Sequence, residues 1–308
     1  MRCAVSLAVL VLAIAVGPFP AAGQNWDAVE IEAIPLSDSV TMLTGRGGNM
    51  GLSVGADGVL LVDDQFAPLS EKILAAIGTI ADRPGSQPVD LVLNTHWHGD
   101  HTGGNANFRA AGALVFAHDK VRETLLQRNF SKQAAEGAFV AAPELPVVTF
   151  SDDLTFHFNG ETIRVIKVPA EASGAHTDGD VIVHFTGSDV LHMGDVFFNG
   201  LYTFFDPSSG GRFEGMIEAL ALGLDLAGSE TRIIPGHGGL AGRAEMADHH
   251  ARLVEIRERT RAAIAAGTSK ADFIASQPTA DLAAAYQGRY QVMKPERFLE
   301  LVYDDLAQ

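Results

Sequence analysis

Residues 94–105 read "NTHWHGDHTGGN", which sets three histidines and an aspartate within six positions, directly after the apolar run "VDLVLN". The chain has 11 histidines in all, so this crowding asks for a chemical reason. Imidazole nitrogens and carboxylate oxygens are the ligands of zinc and similar divalent ions. In an extended segment His96 and His98 point the same way, because alternate residues share a face. Asp100 and His101 follow on the turn. Two histidines plus an aspartate–histidine pair exceed what one tetrahedral zinc with an open position takes, and they suit two adjacent metals.

The remaining ligands must come from other strand ends, and three segments offer them. His176 lies in "GAHTDGDV", a turn entering the strand-like run "VIVHF". Asp195 lies in "LHMGDVFF", at the end of "DVLHM", and His237 in "IIPGHGG", at the end of "RIIPG". Each is flanked by glycine, directly at Asp195 and His237 and within three residues at His176, which lets backbone and ligand approach closely.

This constellation resembles the metallo-β-lactamase superfamily. The signature His-x-His-x-Asp-His stands as His96-Trp97-His98-Gly99-Asp100-His101, and the later histidine, aspartate and histidine as His176, Asp195 and His237. The resemblance covers about residues 38–240. It implies an α/β protein, an αββα four-layer sandwich with the metals at one edge of its two sheets. It further implies two zinc ions per chain, one on His96, His98 and His176, the other on Asp100, His101 and His237, with Asp195 bridging. Such metals bring the pKa of bound water near ~7, so that a shared hydroxide can attack a carbonyl. Asp100 is the expected catalytic residue, orienting that hydroxide while it ligates.

The family does not specify the substrate, since one scaffold hosts many reactions. One β-lactamase subclass places a cysteine on the second zinc, but the chain's one cysteine is Cys3, far from the ligands. Another subclass uses Asp, His and His, as Asp100, His101 and His237 do. Neither has a bridging aspartate. Asp195 resembles instead the hydroxyacylglutathione hydrolases and lactonases. The family's diiron redox members have glutamate where this chain has His98. β-Lactam ring opening is the leading expectation, with thioester or lactone hydrolysis as the alternative. A non-catalytic periplasmic zinc-binding relay or accessory protein is a third reading.

Several elements have to position these ligands. "SVTMLTG", "NMGLSVG" and "VLLVDD" read as strands separated by turns, and "VDLVLN" as a buried strand leading into the histidines. Residues 68–82 carry Leu69, Ile73, Leu74, Ile77 and Ile80 on one helical face. Short helices flank the strand "ALVFAH". Residues 147–193 return to strands, and a helix at 214–227 precedes "TRIIPGHGG". The catalytic domain is expected over 24–242, followed by a helical extension over 243–308.

The other candidates are weaker. Asp63 or Asp64 could support a ligating histidine, and His118 could do so or stand at the surface. His157, His184 and His192 read as structural, His249 and His250 as solvated, and Trp97 as packing beneath the metals. Phe197, Phe198 and Tyr202, with Phe204 and Phe205, are either core or a cleft wall; the first three are the candidate substrate contacts.

A formal net charge of −16, with 22 lysines and arginines scattered along the chain, argues against nucleic acid as a partner; the hydrolase resemblance implies a small-molecule substrate instead. Met1-Arg2, the apolar run "CAVSLAVLVLAIAV" and the small residues Ala21 and Gly23 read as a cleaved signal over 1–23. That predicts a periplasmic or secreted protein without stable membrane association after cleavage.

Overall fold

The apolar runs become strands of two sheets. The structure, a computed structural model, describes residues 25–83, 87–136, 142–168, 174–286 and 293–308, with side chains described throughout except at 130–136. The expected signal over 1–23 lies outside the described residues.

The first sheet holds β1 (Glu32–Pro35), β2 (Val40–Thr44), β3 (Met50–Gly55), β4 (Gly58–Val62), β5 (Leu91–Asn94), β6 (Leu114–His118) and β7 (Val148–Phe150), in that spatial order. β1 to β4 pair antiparallel, and β4 to β7 pair parallel. Helices α1 (Ser70–Ile80), α2 (Gly99–Thr102), α3 (Asn105–Ala110) and α4 (Asp119–Glu136) lie along the parallel half of the chain. The second sheet runs β12-β11-β10-β9-β8, built from β8 (Leu154–Phe158), β9 (Glu161–Lys167), β10 (Val181–Phe185), β11 (Val190–His192) and β12 (Arg232–Ile234). Helix α5 (Phe213–Leu226) joins β11 to β12, which pair parallel. Helices α6 (Arg243–Ala265), α7 (Lys270–Ala275) and α8 (Pro295–Leu306) follow.

Period-two alternation divides the apolar side chains among three large cores, with a smaller cluster of Trp97, Ala117 and Val121 besides. Leu60 and Val62 of β4 point between the sheets, where they join Leu93, Phe116, Ile163, Val165, Val183 and Ile234. Leu61, between them, faces outward onto Ile73 and Ile77 of α1 and Phe108 of α3. On the far side, Ile182, Leu191 and Ile233 share a core with Phe213, Met216 and Leu220 of α5. The layers are therefore helix, sheet, sheet and helix.

The segment expected as an extension is built into the fourth layer. Met246, Leu253 and Ile256 of α6 and Phe298, Leu299 and Val302 of α8 belong to the same core as α5. Arg212, just before α5, meets the Asp305 carboxylate of α8 at 2.9 Å, and Asp305 also accepts from the Phe213 N–H. An amphipathic helix has to cover its apolar face, and here the open side of α5 takes it.

Candidate metal centre

All four ligand-bearing loops leave the sheets at one edge. The loop after β5 carries His96 to His101, those after β11 and β12 carry Asp195 and His237, and the turn entering β10 carries His176. β10 runs antiparallel to β11, so its start lies beside the end of β11.

The side chains gather into two groups. His96, His98, His176 and Asp195 form one, and Asp100, His101 and His237 the other; within each group one ligand atom per residue lies within 4.8 Å of the rest. Asp195 also stands between the groups. Its Oδ2 is 3.4 Å from His176 Nε2, 3.8 Å from His96 Nε2 and 3.3 Å from His237 Nε2, while its Oδ1 is 3.1 Å from His101 Nε2. All seven side chains are buried.

Glycine makes this density sterically feasible at two points. A Cβ on Gly48 would stand 2.0 Å from His101 Cε1, and one on Gly236 would stand 2.0 Å from Asp195 Oδ1. Neither collision could be relieved without moving a ligand.

Support comes from the far nitrogens of the rings, as is usual for histidine ligands. His101 Nδ1 meets Asp63 Oδ2 at 2.8 Å, and the same carboxylate accepts from Thr95 N and Thr95 Oγ1. His96 Nδ1 lies 3.1 Å from Thr95 Oγ1. His176 Nδ1 lies 2.8 Å from the Phe204 carbonyl, and Asp180 accepts from the His176 and Thr177 N–H groups. His98 Nε2 lies 3.3 Å from Asp206 Oδ2, leaving Nδ1 2.7 Å from His176 Nε2. The backbone is bent to achieve this: Asp63 and Gln65 hold φ of 62° and 56°, a region that side-chain-bearing residues seldom occupy.

Electrostatics separate the groups. Burial, with the His101 charge nearby, holds the His96 imidazole well below its ordinary range, and burial takes His176 down to about 4. Burial also works against charge at His101 and His237, but the Asp195 and Asp100 carboxylates override it and hold both rings well above that range. The carboxylates respond in turn. Burial opposes their ionisation, yet His101 and His237 bring Asp100 down to about 2, and His237 with His101 holds Asp195 low.

A pair of divalent cations fits this arrangement. Buried polar atoms ordinarily find hydrogen-bond partners, yet His96 Nε2, His101 Nε2, Asp100 Oδ2 and Asp195 Oδ1 make no hydrogen bond. The 3.1 Å approach of His101 to Asp195 lacks hydrogen-bonding geometry. These atoms converge without satisfying one another, as ligands around an ion do.

A family model described as the metallo-beta-lactamase superfamily matches residues 43–277. The chain belongs to this superfamily. The match runs past residue 242 into α7, consistent with the shared fourth layer. A hydroxyacylglutathione hydrolase of Rhodospirillum rubrum is 28% identical over 173 residues, 55% of this chain and 54% of that protein. Its counterpart in Methylococcus capsulatus is 28% identical over 196 residues, 61% and 65% of the two chains. The 2,4-dinitroanisole O-demethylase subunit alpha of a Nocardioides species is 24% identical over 185 residues, 60% and 51%. The superfamily member thus spans 54% of the length of the first of these curated relatives. Among solved structures, a metallo-beta-lactamase from Pontibacter korlensis superposes with a TM-score of 0.57 at 19% identity, covering 73% of this chain and 99% of its own. The DIM-1 metallo-beta-lactamase gives 0.56 at 18%, with 74% and 98% covered. At such identities the likeness is one of fold.

Several residues stand elsewhere than their sequence context led one to expect. Phe197 is fully buried against the His249 ring, a core position and not a cleft wall. Tyr202 stacks on Tyr286 at 3.9 Å, among the C-terminal helices. Phe198 does reach the centre, stacked at 5.3 Å on His237, but it too is wholly buried. His249, expected in solvent, is buried and hydrogen-bonded to Thr203 Oγ1 at 2.9 Å. Trp97 packs edge-on to His98 at the side of the centre. His118 bonds the Ser151 carbonyl and the Lys120 N–H. Asp63 fulfils the supporting role; Asp64 accepts from the Gly104 N–H. Asp206 and Asp180 have no ligand signature in the sequence. Asp206-Pro207-Ser208-Ser209 reads there only as a capped turn.

Proposed function

We propose that this superfamily member is a zinc-dependent hydrolase of an activated acyl bond, with a thioester as the first substrate class. The observation carrying this reading is Asp195, whose carboxylate reaches both groups of ligands, Oδ2 toward His176 and His237 and Oδ1 toward His101. A carboxylate so placed matches the thioester-cleaving branch better than the β-lactamases. The names of the curated relatives from Rhodospirillum rubrum and Methylococcus capsulatus support the same choice.

His96, His98 and His176, with Asp195, would hold one zinc; Asp100, His101 and His237, again with Asp195, the other. Zinc ions held there would supply Lewis acidity toward the scissile carbonyl and lower the pKa of water. The chain's own contribution is orientation. Asp63 and Asp206 hold the rings of His101 and His98, and the Phe204 carbonyl holds His176. Asp100 Oδ2 is left without a hydrogen-bond donor, free to ligate and to align the attacking water. The reading includes export: the signal-like segment over 1–23 would take the chain to the periplasm or beyond.

β-Lactam ring opening is the second reading, favoured by the Asp100, His101 and His237 set, which one β-lactamase subclass shares. One experiment separates the two: turnover of an acyl thioester, a lactone and a chromogenic β-lactam by zinc-loaded protein, with and without chelator. The thioester should be cleaved fastest, and chelator should abolish cleavage. A protein carrying two zinc ions that turned over none of the three would overturn the reading.

A further inference from the structure

Beside the first group of ligands lies an open polar hollow of about 610 Å³, lined by Thr124, Gln127, Arg128, Asp178, Ser208, Ser209 and Gly210. Two short routes connect it with His98. Ser208 and Ser209 donate to Asp206, which contacts His98 Nε2 at 3.3 Å. Arg128 lies 3.6 Å over the Trp97 ring, and Trp97 packs edge-on to His98 at 4.3 Å between ring centroids.

Arg128 is the unusual member. Its side chain is exposed, yet the aromatic face beneath holds the guanidinium in place. It makes no ion pair among the described residues, although 38 aspartates and glutamates outnumber the 22 basic residues. Asp178, on the same wall, is also unpaired, and its Oδ1 makes no hydrogen bond. A chain carrying −16 repels anionic substrates, so a fixed cation beside the reaction centre has a purpose that a neutral one could not serve.

We propose that Arg128 anchors a carboxylate on the substrate, so that the favoured substrates are anionic acyl compounds docked in this hollow. The inference rests on the acyl-hydrolase reading and narrows its substrate class. Arg128 is a substrate-positioning residue. A guanidinium gives a carboxylate two parallel hydrogen bonds, and losing such a charged pair raises KM roughly 10- to 100-fold.

The test compares wild type, Arg128→Gln and Arg128→Lys on two esters of similar length, 4-nitrophenyl hydrogen glutarate and 4-nitrophenyl valerate. In Arg128→Gln the KM for the glutarate ester should rise at least tenfold with kcat little changed, while the valerate ester is unaffected. Arg128→Lys should recover part of the loss. An equal loss on both esters would mean that Arg128 merely steadies Trp97, and an unchanged KM for the charged ester would likewise overturn the proposal. Calorimetric binding of free glutarate to the same proteins gives an answer independent of turnover. If neither ester is cleaved, tenfold weaker glutarate binding in Arg128→Gln still supports the anchor, and the hydrolase reading is decided separately by the thioester, lactone and β-lactam turnover. No glutarate binding to wild type, or equal binding to all three, overturns it.

Discussion

The two ligand groups are built from similar residues but in different electrostatic company. His96 and His176 sit where burial and neighbouring rings keep imidazole uncharged, and His96 and His176 lean on uncharged acceptors, the Thr95 hydroxyl and the Phe204 carbonyl. His101 and His237 sit among the carboxylates of Asp63, Asp100 and Asp195 and are driven toward the charged form. An uncharged ring offers a metal its lone pair at once, whereas a charged one must first give up a proton. One shared carboxylate, Asp195, pulls the rings of both groups toward the charged form, but burial outweighs it at His96 and His176, whereas at His101 and His237 Asp100 reinforces it.

The most drastic way to probe this contrast is to strip both groups together. Dialysis against a chelator should eliminate turnover, and added zinc should restore it at two equivalents per chain; restoration at one would merge the two groups into a single site. Next in size come His176→Ala and His237→Ala. Each should cut turnover by orders of magnitude while circular dichroism stays native, because the ligands stand on loops at the sheet edge. Elemental analysis should find one zinc retained in each variant, and two zinc ions in either would remove that histidine from the ligand set.

Asp195→Ser acts on the contrast itself. Zinc should bind more weakly at the second group, with the first retained on His96, His98 and His176. Thioester turnover should fall much further than any β-lactam turnover, since the resembling β-lactamase subclass works without a bridging carboxylate. Unchanged zinc affinity would show that Asp195 is not a ligand. Smaller effects should follow from the supporting carboxylates, at roughly 10- to 100-fold in zinc affinity. Asp63→Asn should weaken the second group and Asp206→Asn the first, and competition titrations with a zinc indicator that gave the same weakened step in both variants would break the assignment.

The smallest effect concerns His249, outside both groups, where burial pushes the ring down to about 3. The unfolded chain takes its proton near 6.5, so this residue's contribution to stability is complete above that pH and is lost as pH falls from about 6.5 toward 3. Urea midpoints measured from pH 7 to pH 5 should decline more steeply for wild type than for His249→Gln. Parallel slopes would remove His249 from the account, while zinc content at pH 7 should be the same in both.

The gathering of these side chains was legible because residues able to ligate a metal are rare at strand ends flanked by glycine, and the seven so placed meet in two groups that could hold one. His96, His98, Asp100 and His101 declared themselves by spacing, and His176, Asp195 and His237 by their context. The supporting residues were less visible. Asp63 stood out only as a carboxylate ending a strand, and Asp206, which caps its turn by accepting from the Ser208 N–H, carried no ligand signal at all. Helix α4 was foreseen only in part, since its polar sequence has little apolar periodicity to mark its length.

Alone, then, the sequence determined the chemistry and the layers: which residues can bind metal, and which strands and helices carry alternating or stripe-like apolar faces. These depend on residue type and local period, and both are written along the chain. Tertiary structure alone decided which groups meet across long separations. Asp195 falls between the two groups of ligands because β11 and β12 pair in parallel and end together. Arg128 comes to rest beside His98 because α4 packs its side chain over Trp97. The C-terminal helices join the core because α5 leaves an apolar face open to them. Contacts of that kind arise from burying surface between distant segments, and no local pattern records them.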